Sequence, residues 1–457
     1  MNLSKNVFTE EFAKLNQAQK QAVETIYGPV IVLAGPGSGK TQILSMRIGQ
    51  ILQITDTLPS SILCLSFTEA AASNMRKRLH SLIGPQAHQV AFHTFHSFGS
   101  EIINQHPEHF FFGASFAPVD EIGQYQILRQ IFKSLPWNNP LSSYSEDHDY
   151  SYLSDSLDAI QRLKQGGISE VDFSQILSLN RQFLQEVNEI SKPEFELDIS
   201  KKNLETWPQF YYNFVNIASK FILQAKNYGY TWLKVYPILA ETMLLEIELA
   251  NQQIQAENSQ ELDVKPNTKT ITKWKNSNLE KDRNNQSIFK EYSKLDKQEA
   301  LIEIYTKYQK ELFKQGLYDF ADMLMQVVNK LEDKEKPELA FNLQEKYQYI
   351  LVDEFQDTNG VQLRLLLNLL NSNILDFQPN VLVVGDDDQA VYKFQGANIQ
   401  NLWKFQENFP KSEQIALSLN YRSDQDILDV ASQVISQASQ RFSEQLGVNK
   451  ELISAKK

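Results

Sequence analysis

The 457-residue sequence contains one cysteine, Cys64. No disulfide framework can form, and thiolate-rich zinc sites are excluded by count. The seven histidines, His93 and His96 among them, have no cysteine or acid at zinc-site spacing, so structural zinc is not expected. The chain opens without a basic stretch running into a long apolar one, and no apolar run approaches membrane-spanning length. A soluble, cytoplasmic protein with no membrane partner is the expectation. Basic excess is also missing: 44 Lys and Arg face 56 Asp and Glu, a formal net charge of −12. Such a chain does not coat nucleic acid by charge alone, although a locally positive groove on an acidic body stays open. No internal repeat is visible.

What is present is a 42% hydrophobic content, enough at this length for two or three domains with real cores. Six β-type runs stand out: Val30–Leu33, Ile62–Phe67, Val90–Phe95, Tyr349–Asp353, Val381–Gly385 and Ile415–Leu419. Helical patterns separate most of them, which predicts an α/β fold with a parallel sheet covered on both faces. Cys64, inside "ILCLSF", reads as a small core residue. Thr68 is an N-cap for a helix over Glu69–Ile83 that stops at Gly84-Pro85, with Arg76, Lys77 and Arg78 on a solvated face.

The run "VIVLAGPGSGKTQIL" carries the first chemistry. An apolar strand enters Ala34-Gly35-Pro36-Gly37-Ser38-Gly39-Lys40-Thr41. The glycines allow a tight turn that presents backbone N–H groups to anionic oxygens, and the following helix adds its positive end. Lys40 would reach the β- and γ-phosphates and the Thr41 hydroxyl would ligate Mg²⁺. Ala34 stands where the strict pattern has glycine. ATP is the expected ligand. The turn alone fits a kinase, a transporter ATPase, a GTPase or a helicase equally.

Between about Glu121 and Glu345 convincing strands are nearly absent, and long amphipathic patterns predict a helical insertion. Its centre, Ala250–Gln298, is rich in Asn, Gln, Lys and Glu and reads as polar surface or loop. Lys265–Lys297 holds nine Lys/Arg against four acids around Trp274, which reads as a solvated face in preference to a patch for nucleic-acid backbone.

A second motif, "LVDEFQDTN", ends another apolar strand in the carboxylates Asp353-Glu354. Asp353 is placed to hold Mg²⁺ and Glu354 to act as general base for hydrolysis. This stretch resembles motif II of superfamily 1 DNA helicases of the UvrD/Rep type. The other motifs of that family have counterparts in order: "LNQAQKQAV" (the Q-motif, with Gln19; Gln17 replaces the usual proline), "LSFTEAAASNMRKRL" (motif Ia) and "FHTFHSFGSEII". After these come "GLYDFADML", "VLVVGDDDQAVYKFQGA" (motif III) and "LNYRSDQDIL" (motif IV). A P-loop kinase has no use for this set.

The resemblance implies ATP-driven movement along single-stranded DNA, usually 3′ to 5′, with duplex unwinding. It implies a P-loop RecA-like parallel sheet with a large all-α insertion and the start of a second RecA-like domain. The boundaries expected are residues 1–120 and 316–412 for the first domain, 121–315 for the insertion and 413–457 for the opening of the second. Gln19 would read adenine, Tyr421 would stack on it, Arg422 would touch the γ-phosphate, Gln389 would sense it and Gln356 would couple the two sites. Phe67, Tyr392 and Phe394 fall where the family stacks bases, and Thr68, Thr94 and His96 where it contacts backbone or sugar. Phe394 replaces a tryptophan, and Gln395 stands where arginine is common. Motifs V and VI have no counterpart, so the chain reads as the front part of a helicase. The alternative is a non-catalytic ATP- and DNA-binding module, a subunit beside repair or recombination proteins.

Overall fold

The computed structural model describes residues 2–110, 116–145, 149–195, 201–227, 239–258, 269–281, 287–370, 378–389, 400–435 and 451–456. The chain divides into two compact units, 1–118 with 164–167 and 318–457, and 119–163 with 168–317. Among the described residues no helix is long and apolar enough to cross a membrane.

The first unit is built on a six-stranded sheet of β1 (Pro29–Ala34), β2 (Ile62–Ser66), β3 (Ala91–Thr94), β4 (Tyr349–Val352), β5 (Asn380–Gly385) and β6 (Glu413–Leu417). The order is β6-β1-β5-β4-β2-β3 and every neighbouring pair is parallel. The six strands fall within two residues of the runs read from sequence. β1, β2 and β4 are buried throughout, which is why they read as unbroken apolar runs without alternation. Cys64 lies in this core, and burial raises its thiol pKa well above the ordinary value.

Four helices flank the carboxyl ends of these strands or pack beside them: α1 (Gln17–Glu24), α2 (Lys40–Ile54), α3 (Glu69–Ile83) and α4 (Phe95–Gln105). The Asn16 side chain caps α1 and Gln19 returns the bond, a full capping box. Thr68 caps α3 by accepting from the Ala71 N–H, and Gly84, at φ +74°, ends it. Thr94 caps α4 reciprocally with Ser97. Buried Arg47 on α2 donates to the Ala22 carbonyl at 2.6 Å and ties α2 to α1. Arg76 departs from the expected solvated face. It donates to the Phe92 carbonyl at 3.1 Å and lies over the Phe92 ring.

The second unit is helical, with Glu170–Phe195, Lys201–Asn227, Leu239–Asn258 and Glu291–Lys314 as its long elements. Its described strands include two short antiparallel ladders, Tyr144–Ser145 with Asp149–Tyr150 and Leu279–Lys281 with Ser287–Phe289. Its core is aromatic. Trp274 meets Trp207, Phe210 and Phe289 edge-on, at centroid distances of 5.4, 5.7 and 6.0 Å. This corrects the polar reading of Ala250–Gln298. Its described parts are largely helical, and Ile271, Trp274 and Phe289 are buried. A few buried apolar side chains make the core despite the excess of Asn, Gln and Lys around them: Ile271 and Trp274 one helical turn apart, and Phe289 on a short strand.

Residues 164–167 are held to the first unit by charge. Lys164, with no exposed surface, donates to Asp319 Oδ2 at 2.5 Å and meets Asp322 Oδ1 at 2.6 Å. Arg364 gives one bond to the Gly167 carbonyl at 2.6 Å and pairs with Glu332 through Nε and Nη2. Gly360 packs so closely on Gly166 that a Cβ there would lie 2.2 Å from the Gly166 oxygen. A buried pair that loses one partner leaves an uncompensated charge. Lys164→Met is therefore expected to cost about 3–5 kcal/mol in urea unfolding. Adding Asp319→Asn and Asp322→Asn should return most of that loss.

Candidate functional site

Because every strand of the sheet is parallel, all carboxyl ends share one edge, where such folds bind ligands. Five of those ends carry the residues singled out from sequence: Gly35–Gly39 after β1, Phe67-Thr68 after β2, Thr94–His96 closing β3, Asp353-Glu354 after β4, and Asp386–Gln389 after β5.

The glycine-rich turn has the backbone its sequence requires. Gly37 and Gly39 adopt φ of +68° and +89°, which only glycine takes without strain. Ala34 ends β1 and is buried. The Ser38 hydroxyl donates to the Gly35 carbonyl at 2.7 Å. Gln19 Nε2 donates to the Ser38 carbonyl at 2.9 Å, and Gln19 Oε1 accepts from the Asn16 N–H. The N–H groups of Gly37, Gly39, Lys40 and Thr41 find no acceptor among the described residues. Four free amides at a helix start form a cradle for an anion.

Opposite the cradle stands the carboxylate cluster. Lys40 Nζ bonds Glu354 Oε2 at 2.7 Å. The same oxygen accepts from Gln356 Nε2 at 2.8 Å. Asp353, only 4% exposed, accepts from the Glu354 N–H at 3.0 Å. Burial, and then the neighbouring Glu354 charge, push its pKa up to about 6 against the opposing pull of Lys40. Asp357 is pushed up to about 6 for the same reasons, and its Oδ1 is buried without a partner. Glu354 itself holds a left-handed backbone, φ +48°, uncommon outside glycine and characteristic of strained functional positions. Gln356 Oε1 accepts from the Asp386 N–H at 2.9 Å, and Gln389 Nε2 donates to the Asp386 carboxylate. Gln356 thus joins the ends of β4 and β5.

Residues 420–422 lie over the turn. The Tyr421 N–H donates to the Gly37 carbonyl at 2.9 Å, and the Tyr421 hydroxyl accepts from Asn16 Nδ2 at 2.9 Å. Asn420 Nδ2 donates to the Pro36 carbonyl at 2.5 Å, while its Oδ1 accepts from the Arg422 and Ser423 N–H groups. A Cβ at Gly37 would meet the Arg422 Cβ at 2.7 Å, and one at Gly35 would meet a Leu452 methyl at 2.5 Å. The Arg422 side chain is exposed. Sequence reasoning does not single out Asn16, Asn420 or Leu452. Asn420 directly precedes Tyr421 in motif IV, and this adjacency is the available cue.

On the β2–β3 side, Phe67 is half-buried and Thr68 exposed. His96 packs against Phe320, centroids 4.4 Å apart, and Phe320 is 63% exposed. Burial lowers the His96 pKa to about 4, so the ring is neutral near pH 7. Phe320 is a further candidate platform that sequence reasoning missed, although it lies within the motif "GLYDFADML". Tyr392, Phe394 and Gln395 lie outside the described residues.

The UvrD/REP helicase N-terminal domain matches residues 15–410. The chain belongs to this family. Among curated relatives, the ATP-dependent DNA helicase PcrA of Staphylococcus epidermidis is 27% identical over 427 residues, covering 93% of this chain and 40% of the relative. PcrA of Staphylococcus aureus is 26% identical with the same coverage. The chain thus spans less than half the length of the curated relatives it matches. The family match contains the glycine-rich turn, the Asp353-Glu354 motif and Gln389. Tyr421 and Arg422 lie beyond the matched residues.

Crowded carboxylates have a stability signature. The folded state holds the Asp357 proton up to about pH 6, above the ordinary 3.8, so stability from this group falls as pH rises through that window. Asp357→Asn is expected to stabilise the protein by about 1 kcal/mol above pH 6, with the gain fading toward pH 4. Thermal unfolding at several pH values reads this directly.

Proposed function

We propose that the chain is the ATP-binding, single-stranded-DNA-engaging part of an ATP-dependent DNA helicase of the UvrD/Rep type. The observation that carries this reading is the placement of the amide cradle, Lys40 and Glu354 on one sheet edge with Gln356 running on to Asp386. We read the first unit's sheet as RecA-like, the helical unit as its insertion, and the residues beyond Leu417 as the opening of a second RecA-like domain.

The donor set fits ATP with Mg²⁺: free amides suit phosphate oxygens, and the Thr41 hydroxyl and buried Asp353 carboxylate are hard oxygen donors. Mg²⁺, held by these two, would neutralise charge building on the phosphates. Lys40 would exchange Glu354 for phosphate oxygens. Glu354, released, would take the proton of the attacking water. Gln19 and Tyr421, which meet through Asn16, would frame the base. Gln389 and Arg422 would complete the polar surround of the γ-phosphate. Phe67, Thr68, Thr94 and His96, with Tyr392 and Phe394, would form the DNA track, with Phe320 beside His96. PcrA is named a DNA helicase, and repair or recombination proteins are the partners we would expect for such an enzyme.

The test is the ATPase rate with and without single-stranded DNA, for this chain and for Glu354→Gln. A DNA-stimulated rate that falls at least ~100-fold in the variant, with ATP binding kept, is expected. ATP binding without turnover in the unmodified chain would favour the binding module instead.

A further inference from the structure

α3 and α4 begin side by side, because β2 and β3 are neighbours with Ser66 opposite Thr94. Two helix N-termini at adjacent strand ends favour negative charge. A negative group already stands there. Glu69, first residue of α3, is exposed, and its Oε1 accepts from the Thr94 hydroxyl at 3.0 Å. The Thr94 Oγ1 also accepts from the Ser97 N–H at 3.1 Å and lies 3.0 Å from the Ser97 hydroxyl oxygen, a second acceptor for the same proton. A hydroxyl has one proton, and an ionised carboxylate is its strongest acceptor here. Thr94 therefore has no proton left for another acceptor while Glu69 holds it. The nearby basic side chains have their own partners. Arg76 is drawn to the Phe92 carbonyl and ring, and His93, its pKa lowered mainly by burial, is paired with Glu101 at 3.0 Å.

We propose that Glu69 is an internal competitor for DNA phosphate. It occupies the Thr94 hydroxyl and the paired helix starts, and it sets a ceiling on single-strand affinity at this point of the track. The inference rests on the reading of Thr68, Thr94 and His96 as DNA contacts. A nucleic-acid backbone arriving here must displace the carboxylate from Thr94 and tolerate its charge. Strand release is correspondingly easier, which suits a protein that has to let go of DNA in order to move along it.

The experiment is fluorescence anisotropy of labelled oligo-dT with the unmodified chain, Glu69→Gln, Glu69→Ser and Asp56→Asn, across a range of salt. Asp56 is an exposed acid before β2, at the opposite edge of the sheet, so its variant removes the same charge elsewhere. Both Glu69 variants should bind about 2- to 5-fold tighter than the unmodified chain. Their salt dependence should steepen by up to ~0.7 in log–log slope, one additional phosphate contact. Asp56→Asn should match the unmodified chain. Equal affinity of Glu69 and unmodified proteins, or equal tightening by Asp56→Asn, would overturn the proposal while leaving DNA binding in place. No oligo-dT binding by any of the four proteins would overturn the DNA reading itself, and this inference with it.

Discussion

The site depends on one ammonium group set among carboxylates. Asp353, Glu354 and Asp357 lie within five residues at the end of a buried strand, and Lys40 faces them from the start of α2. Like charges this close, away from water, resist ionising together. Burial, and then the Glu354 charge, raise the pKa values of Asp353 and Asp357, and Lys40 lowers both. The cluster exists because the β1–β5–β4 order places the Lys40 turn and the acidic turn on the same edge, with only one strand between them. In this arrangement the lysine and the proposed base neutralise each other. Under the proposed function, each would be available for chemistry only once the other had gained a different partner, which would couple phosphate binding to activation of the base.

Gln356 extends the same logic across the sheet. One amide group touches Glu354, Asp357 and the backbone of Asp386, and Asp386 in turn holds Gln389. A Cβ at Gly385 would come within 3.0 Å of the Gln356 oxygen, so the strand end is shaped around this side chain. An amide that donates with one end and accepts with the other ties β4's end to β5's end through hydrogen bonds. That is a short physical path between the proposed hydrolysis chemistry and motif III.

Much of this was legible because it is written locally. Buried parallel strands announce themselves as unbroken apolar runs, and α3 had both ends marked by Thr68 and Gly84. The glycine turn and the Asp353-Glu354 pair are short contiguous signals. What could not be read joins distant residues: Asn420 on Pro36, Leu452 on Gly35, Phe320 on His96, Lys164 between Asp319 and Asp322. Each is decided by tertiary packing, and no spacing rule reaches across one hundred or more positions. Composition also misled in one place. In Ala250–Gln298 the average is polar, yet Trp274 and Phe289 lie at the centre of an aromatic core. An average weighs every residue equally, whereas burial depends on which few lie on one face.

The two halves of the edge share one electrostatic device. On the β1–β4 side, free amides stand beside Lys40, whose charge is already held by Glu354. On the β2–β3 side, two helix starts that would draw a phosphate are already answered by Glu69 through Thr94. Under the proposed function, the first arrangement would suit a nucleotide held through its chemistry, and the second a DNA strand that has to be released. The same device, a carboxylate occupying the place of an anion, appears on both sides: Glu354 on Lys40, Glu69 on Thr94. In each case the resting contact would give an incoming anion something to displace, so that the proposed binding would change a side chain's partner and not merely its occupancy.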